Sequence, residues 1–272
     1  MDLNKIASRL GQLQNKGGSK QSKEKIDYTT IYWKPKSGKH VVRIVPSKFD
    51  KDYPFREVFF HYGLTRAPIM ALSNFGEKDP VMEFATALRK AGDEDSLKMA
   101  KKLYPKMRVF APVVVRGEEE KGVRLWEFGK QVYQELLSMA EDEDIGDFTD
   151  LLEGRDMLVT KKTPEEEGNL YGSTSIRPRT KVTPLSEDDD YVTKCLENQP
   201  DIFELYKRYD FDSLKEVLQT WLEPESDESE TNEVEATVEK PSNYSLDKAE
   251  KKTKVDEFDS LFGEDKTDDL PF

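Results

Sequence analysis

Alternating and continuous apolar runs fill the first two thirds of the chain and predict a strand-rich fold. Between residues 28 and 62 the segments YTTIYWKP, HVVRIVP and FREVFFHYG predict three strands, because turn-forming residues separate them. Later, KMRVFAPVVVR and GVRLWEFG predict a hairpin around an acidic loop at residues 118–120, and RDMLVTKK predicts one more strand before a basic loop. The pattern favours a β-barrel-like core with added helices, an α+β class of fold.

Helical periodicity interrupts and follows these strands. Residues 80–103 predict two short helices, because PVMEFATALRKAG begins with proline and ends with glycine, whereas DEDSLKMAKKL has acids first and lysines last. The segment KQVYQELLSMAE predicts a helix that buries Val132, Leu136 and Ala140. Two or three amphipathic helices are expected around 190–222, and one of them presents Leu214, Val217, Leu218 and Trp221 on one face.

The two ends of the chain differ from this central part. Residues 1–25 predict a basic N-terminal arm, in which apolar residues at helical spacing precede the tether NKGGSKQSKEK. From residue 223 onward Glu, Ser, Thr, Lys and Pro dominate, and they cannot bury enough surface to offset the entropy of ordering. We therefore expect an arm at 1–25, a core at 26–222 and a disordered acidic tail at 223–272.

Charge is divided unevenly along the chain. The net charge is −13, but residues 1–181 contain 32 Lys and Arg against 28 Asp and Glu, while residues 182–272 contain 10 against 27. Cys195 is the single cysteine, which excludes an internal disulfide and any Cys-rich metal site. Without a long apolar run or a cleavage-site pattern, the sequence predicts a soluble intracellular protein.

Basic and aromatic residues share faces of several predicted strands, because successive side chains of a strand point to opposite sides. In KMRVFAPVVV, the residues Met107, Val109, Ala111, Val113 and Val115 point one way, and Lys106, Arg108 and Phe110 point the other. In VRLWEF, we assign Val123 and Leu125 to the core and Arg124, Trp126 and Phe128 to the opposite face. Similar groupings elsewhere are Arg56 with Phe60 and Tyr62, and Tyr32 with Lys34; the Asp/Glu-free segment LYGSTSIRPRTK adds Tyr171, Arg177, Arg179 and Lys181.

This combination suits single-stranded nucleic acid. Cations follow the phosphates, and each base that stacks on a ring contributes roughly 1–3 kcal/mol. Any one strand aromatic is more often a core residue, and an arginine beside it is often a rim residue. The repetition over adjacent strands favours binding, and neither stacking nor phosphate contact distinguishes DNA from RNA.

The order of several segments resembles the single-stranded DNA-binding (helix-destabilising) proteins of T-even-like phages. HVVRIVPSKFDKDYPF, FHYG, VFAPVVV and VRLWEFGKQVYQEL precede an acidic tail, and the resemblance covers about residues 31–181 with gaps. It implies an α+β fold with an OB-fold-like β-barrel core, helical additions and a disordered acidic C-terminal tail. The candidate DNA-binding residues are Tyr32, Lys34, Arg43, Lys48, Arg56, Tyr62, Lys106, Arg108, Phe110, Arg124, Trp126, Tyr171, Arg177 and Arg179.

One departure from that family concerns zinc. The family typically carries a zinc site that uses a histidine in the motif matched by FHYG and a later Cys-Pro-x-Cys, but the matching segment here is DPVMEF. Asp79 and Met82 stand in the cysteine places, and His61 alone cannot complete a tetrahedral site. We predict no structural zinc and no cofactor. Apolar packing must then hold the helices of 80–103, through Val81, Phe84, Leu88 and Leu97.

Both ends of the chain carry candidate protein-binding residues. In the arm, Lys5, Ser8 and Arg9 are candidates for contact with neighbouring protomers along DNA. The ending DDLPF resembles the tip of bacterial single-stranded DNA-binding proteins, which implies partner binding through Asp268, Asp269, Leu270, Pro271 and Phe272. VDEFDSLF at 255–262 resembles the acidic-aromatic tail of the phage family and adds Phe258, Leu261 and Phe262. The acidic tail is also expected to compete with DNA for the cationic cleft.

No feature of the sequence indicates catalysis. It lacks the phosphate-binding loop G-x-x-x-x-G-K-[ST] and a nucleophile elbow, and EDEDIGDFTD lacks the oxygen pattern of a calcium loop. We expect cooperative, sequence-independent binding of single-stranded DNA in the host cell cytoplasm, during phage replication, recombination and repair. The tail would recruit proteins of those processes, and no membrane is involved. The alternative is an acidic interaction or assembly factor that does not bind nucleic acid.

Overall fold

The computed structural model describes residues 28–222, together with Phe258 and residues 260–262. The described part is mixed α+β, which confirms the expected class. Its sheet has eight strands: β1 (Tyr32–Trp33), β2 (Gly38–Ile44), β3 (Arg56–His61), β4 (Ile69–Met70), β5 (Lys106–Val115), β6 (Arg124–Phe128), β7 (Arg155–Lys162) and β8 (Ser173–Val182). The predicted arm and nearly all of the predicted tail lie outside the described residues.

The helices lie before, between and after these strands. A short helix, α1 (Tyr28–Ile31), precedes β1, and α2 (Pro80–Ala91) and α3 (Glu94–Leu103) form the pair predicted between the strands. After the hairpin come α4 (Lys130–Ala140) and α5 (Pro164–Glu167), and the chain continues through α6 (Asp189–Glu197), α7 (Ile202–Leu205) and α8 (Phe211–Leu222). The helical regions expected at 80–103 and 190–222 are thus confirmed. None of the helices in the described ranges has the length and apolar character needed to span a bilayer.

Strand order places β8 at one edge of the sheet. The hydrogen-bonded order is β1-β6-β5-β2-β7-β8, and β5 also pairs with β3, which in turn pairs with β4. All these pairings are antiparallel except β1 with β6. Because β8 has no further partner among the described residues, its outward edge is open.

The main core lies on one side of this sheet. Inward side chains of β1, β2, β5, β6 and β7 meet one face of α4, and packing of this kind contributes about 1.5–3 kcal/mol for each large apolar side chain. Ala140 is exposed, contrary to the prediction, because it lies in the last turn of α4. The core includes Trp33, Val42, Ile44, Val109, Val113, Trp126, Phe128, Leu136, Met157 and Val159.

A second core forms a helical lobe from α2, α3 and α8. Val81, Phe84 and Leu88 are buried in it, as expected from the sequence. Leu97 is 44% exposed, which corrects its predicted place in the lobe. The face of α3 that packs inward carries Met99, Ala100 and Leu103 instead.

The register of β5 and β6 confirms one predicted face and corrects the other. On β5, Val109, Ala111, Val113 and Val115 lie in the main core, so Lys106, Arg108 and Phe110 point to the opposite side. On β6, however, Trp126 lies opposite Ala111 and Phe128 opposite Val109, which places both rings in the main core. Leu125 faces the other side, where it packs with Phe110. The phase assigned to β6 is therefore wrong by one residue.

Arg43 is a buried structural residue and not an exposed cation. Its side chain is 1% exposed and its Nε lies 3.0 Å from Asp156 Oδ1. It also donates to the carbonyl and hydroxyl oxygens of Thr183, and Arg116 binds the same carboxylate at 3.0 Å. The predicted contact of Arg43 with phosphate is therefore wrong for this conformation, because Asp156 and Thr183 already bind the guanidinium.

Candidate nucleic-acid interface

A groove of about 1040 Å³ is lined by β1 and by the α7–α8 strip, the segment of residues 206–210 that joins α7 to α8. Tyr32 and Lys34 line it as part of β1 and its following loop, and His40 lines it from β2. The α7–α8 strip contributes Tyr206, Lys207 and Tyr209. Lys207 Nζ lies 4.4 Å from the centre of the Tyr209 ring, so a cation and an aromatic ring are held together at the wall.

The charges of the groove are partly offset by its own acids. Glu118 accepts hydrogen bonds from Lys121 Nζ and Arg124 Nη2, each at 2.8 Å. These two hydrogen bonds lower the pKa of Glu118, so the carboxylate stays ionised and offsets part of their charge. Within residues 28–222, Lys34 and Lys36 form no ion pair, which leaves their charges available to phosphates.

Tyr62 and two cations of β5 form a cluster on the side of the sheet opposite the main core. Lys106 Nζ and the guanidinium carbon of Arg108 lie 5.9 and 6.0 Å from the Tyr62 ring centre. Burial raises the pKa of Tyr62, and this effect exceeds the lowering by the Arg108 hydrogen bond. The phenol is therefore neutral. Arg108 also pairs with Glu127, a groove residue, which places the cluster at the border of the groove.

Phe110 is buried on the side of the sheet opposite the main core. It is 1% exposed and its ring centre is 6.5 Å from that of Tyr32 and 6.2 Å from that of Phe60. Phe60 in turn lies 4.8 Å from Tyr206. Phe110 lies on the predicted side of the sheet, but α7 covers its ring. The ring therefore packs against the aromatic residues of the groove and has no free face on which a base could stack.

A second basic-aromatic cluster lies on the same side of the sheet. The guanidinium of Arg56 is 5.0 Å from the Phe49 ring centre and 4.6 Å from that of Phe203. Lys48 Nζ is 4.8 Å from the Phe49 ring, and Phe49 is 40% exposed. Arg56 lies opposite Phe110 in the β3–β5 register. This cluster and the groove therefore lie on either side of one layer of packed aromatic residues around Phe110 and Phe60.

The connection between β7 and β8, which contains Tyr171, contacts the β1–β2 loop next to Lys36. Ser37 Oγ donates to Glu166 Oε2 at 3.0 Å, and Gly38 pairs with Lys161 in β7. Tyr171 is 76% exposed at the turn of this hairpin. Arg177 and Arg179 are exposed along β8, on the side away from the main core, because Ile176 of the same strand points inward.

The geometry agrees with a match to a known protein family. A family model described as gp32 DNA binding protein like matches residues 36–223, well over half of the chain. The chain belongs to the gp32-like DNA-binding protein family. This is a family of DNA-binding proteins and not of enzymes, and membership supports binding of single-stranded DNA. A search of curated proteins found no match.

Two of the residues predicted to bind DNA in this gp32-like chain are buried. Trp126 is 1% exposed in the main core, 5.4 Å from the Trp33 ring and 4.7 Å from the Phe128 ring, so no base can stack on it here. Arg124 borders the groove, but its side chain is 5% exposed and bound to Glu118. The predicted contacts of these two residues with DNA are wrong for this conformation.

Residues that sequence reasoning missed come mainly from the α7–α8 strip. The stretch LYKRYD carries a visible signal, since aromatic and basic residues lie close together in it, but its periodicity assigns it only to a helical region. Lys36 lies in the β1–β2 loop, where strand alternation gives no information. Phe49 reaches Arg56 from the loop before β3, and Phe203 reaches it from a distant part of the sequence.

The zinc site implied by the resemblance to the phage proteins does not fit the residues present. His61 uses both ring nitrogens within the protein: Nδ1 lies 2.9 Å from the Leu103 carbonyl oxygen and Nε2 lies 2.9 Å from Asp79 Oδ2. Asp79 also accepts hydrogen bonds from the backbone N–H groups of Leu72, Val81 and Met82. Among the described residues, no three His, Cys, Asp or Glu side chains are grouped as a metal site would require. Absence of zinc from the protein stays a prediction.

Proposed function

We propose that the chain coats single-stranded DNA without sequence preference, using an OB-like core whose groove and adjoining outer face bind the strand. The observation that carries this proposal is the meeting of three rings and three cations in one groove. Rings stack on any base and lysines follow any phosphate, so this composition requires no particular sequence. The groups are Tyr32, Tyr206 and Tyr209 with Lys34, Lys36 and Lys207.

Neighbouring clusters would extend the path of the strand. Tyr62, Lys106 and Arg108 border the groove through Glu127, and Lys48 and Arg56 continue the basic surface beside Phe49. Tyr171, at the exposed hairpin turn, would stack on a base at the other end. Arg177 and Arg179 would contact phosphates that lie farther along β8.

The biological role proposed is protection and unfolding of single-stranded intermediates in phage replication, recombination and repair, in the host cell cytoplasm. Binding would be cooperative, through Lys5, Ser8 and Arg9 of the arm. The acidic tail would recruit proteins of these processes through Phe258, Leu261, Phe262 and the terminal residues Asp268, Asp269, Leu270, Pro271 and Phe272. Membership of a DNA-binding family argues against the alternative of a purely protein-binding factor.

Titration with oligo(dT) tests the proposed groove. Trp33 lines the groove, so strand binding should change tryptophan fluorescence, and affinity should fall steeply as salt rises, because bound phosphates release counterions. Replacing Lys34 and Lys36 by alanine should lower affinity and make the dependence of log K on log salt shallower by about 0.7 per lost contact.

Lys101→Ala with Lys102→Ala is the matched control, because this pair removes the same charge from α3 without touching the groove lining. Equal losses in the two double variants would mean that overall charge, rather than the groove, determines binding. Binding that does not respond to salt would refute the proposal as a whole.

A further inference from the structure

The tail returns to the helical lobe at one described point. Phe258 is 2% exposed and belongs to the lobe core, where its ring centre lies 5.8 Å from that of Phe84 in α2. Phe262 packs against Phe258 at 5.0 Å and against Phe211, the first residue of α8, at 6.2 Å. Residues of two lobe helices thus contact two rings that follow a long acidic segment.

The spacing of the two rings suits this contact. Phe258 and Phe262 are four residues apart, and Phe258 and residues 260–262 are helical, so both rings lie on one face. Leu261 points away and is 43% exposed. The segment therefore inserts aromatic side chains on one side only, as a helix bound in an apolar groove does.

A polar contact fixes the end of the segment. Lys215 of α8 donates from Nζ to the carbonyl oxygen of Phe262 at 3.0 Å, and the same ammonium lies 5.3 Å from the Phe262 ring centre. A cation at the last carbonyl of a helical turn satisfies an otherwise unpaired acceptor and interacts favourably with the turn's dipole. The lobe therefore supplies both an apolar site and a matched charge.

We infer that the surface between α2 and α8 is a docking site for the chain's own Phe258–Phe262 segment, which acts as a releasable latch on the acidic tail. The occupant is the same chain because residues 223–257 join α8 directly to the segment and hold it at high effective concentration near the lobe. While the latch is closed, Phe258 is covered by the lobe.

Closure and partner binding through these rings exclude each other. Phe258 cannot enter a partner's pocket until the segment leaves the lobe, whereas Leu261 is accessible in either state. A partner must therefore bind the segment more tightly than the lobe does, and its departure uncovers an apolar site on α2 and α8. This last step rests on the proposed function of the tail, but the docking itself does not.

Hydrogen exchange of the full chain without DNA tests the latch. Phe258→Ser with Phe262→Ser should lower protection of α8 and of the part of α2 around Phe84 by roughly tenfold or more, because one buried and one partly buried ring are removed from their contacts. Leu261→Ser is the matched control in the same turn and should leave protection unchanged. Equal protection in the wild type and the double variant would overturn the inference.

A peptide of residues 254–264 separates docking in cis from docking in trans. A labelled peptide should bind the double variant, whose site is vacant, and should bind wild-type protein at least roughly tenfold more weakly, because a tethered segment competes with it. Protection of wild-type α8 should not change on dilution. Protection that falls on dilution would show that a second copy supplies the segment, and equal peptide binding to both proteins would show that the lobe is not occupied in solution. Neither result depends on whether the chain binds DNA.

Discussion

Asp79 connects three parts of the fold through one carboxylate. Oδ1 accepts from the N–H groups of Val81 and Met82 and caps α2, while Oδ2 accepts from Leu72 N–H and contacts His61. The other ring nitrogen of His61 contacts the Leu103 carbonyl oxygen, so the pair also joins the end of α3 to β3. His61 and Asp79 stand where the resemblance to the phage proteins implies a zinc site.

Stability should therefore depend on Asp79 at acid pH. Burial alone would raise its pKa, but hydrogen bonds from His61, Met82 and Leu72 outweigh burial and lower the pKa below the ordinary 3.8. A lowered pKa stabilises the fold fully above the unfolded value, and this contribution is lost as pH falls through the folded value. Urea unfolding of wild type and Asp79→Asn between about pH 7 and pH 2 measures the effect.

The Asp79→Asn substitution would keep the cap to α2 but turn an amide donor toward either Leu72 N–H or His61, which should cost about 1–3 kcal/mol at neutral pH. The difference between the two proteins should shrink as the pH falls below the ordinary carboxyl value of 3.8 and through the lowered pKa of Asp79, because the carboxylate becomes protonated. A difference that stays constant over the whole range would show that this carboxylate is not responsible.

Gly154 is required by close packing and not by an unusual backbone angle. A Cβ at this position would collide with the Asp150 carbonyl oxygen and with Arg43 Nη1, and would lie 2.8 Å from the Phe148 carbonyl oxygen. Two of these neighbours are backbone atoms, which cannot move aside without shifting the loop before β7.

Gly154→Ala should therefore lower the free energy of unfolding by about 1–3 kcal/mol. Gly129→Ala provides a comparison, because its Cβ would make only an ordinary contact, at 3.6 Å from Arg108 Nη1. Chemical denaturation of both variants measures the difference. A loss no larger for Gly154→Ala than for Gly129→Ala would contradict the packing argument.

At the scale of elements, β6 shows why strand alternation succeeds in one place and fails in the next. β5 has polar residues at its start that reveal its outer face. β6 is buried on both faces, by the main core on one and by the residues around Phe110 on the other. Neither set of alternate residues in RLWEF is therefore more polar than the other. A strand buried on both faces carries no phase signal, and pairing with β5 decides it.

The same reasoning explains which site residues could be predicted. The outer face of Lys106 and Arg108 follows from local alternation in β5, and the structure places both beside Tyr62. Arg43 could not be assigned from HVVRIV, because its partners Asp156 and Thr183 are distant in sequence. The α7–α8 strip reaches the groove only through tertiary packing, which no local pattern reports.

We expect the tip of the β7–β8 hairpin to contribute contacts with DNA but little stability. Tyr171→Ala should weaken binding of oligo(dT) by about 1–3 kcal/mol, the value of one stacked base, with no change in melting temperature. Leu170→Ala is the matched control, since Leu170 is 84% exposed in the same turn but has no aromatic face. Unchanged affinity of the Tyr171 variant in fluorescence titrations would remove the hairpin tip from the proposed path.

At the scale of the whole molecule, the acidic tail and the basic groups of the groove are parts of one chain. Neutralising the Asp and Glu residues of 223–257 to Asn and Gln should raise affinity for oligo(dT) by roughly tenfold at low salt, because a tethered competitor is weakened. The gain should disappear at high salt, where charge is screened. The variant keeps Phe258 and Phe262, so the latch stays closed.

The Phe258→Ser and Phe262→Ser double variant is the complementary control, since it opens the latch without changing the charge. Equal affinities of the wild type and the neutralised chain at low salt would contradict competition by the tail. A gain seen only in the double variant would assign the effect to docking on the lobe.

The open edge at β8 has a consequence for crowded molecules. An unpaired strand edge offers hydrogen-bonding groups to any other edge, and proteins packed side by side meet at high local concentration. β8 carries Arg177, Arg179 and Lys181 together with Pro178, which cannot donate a backbone hydrogen bond. Positive charges and an interrupted ladder discourage two such edges from joining, so this strand would protect molecules packed side by side on DNA, as proposed above, against edge-to-edge aggregation.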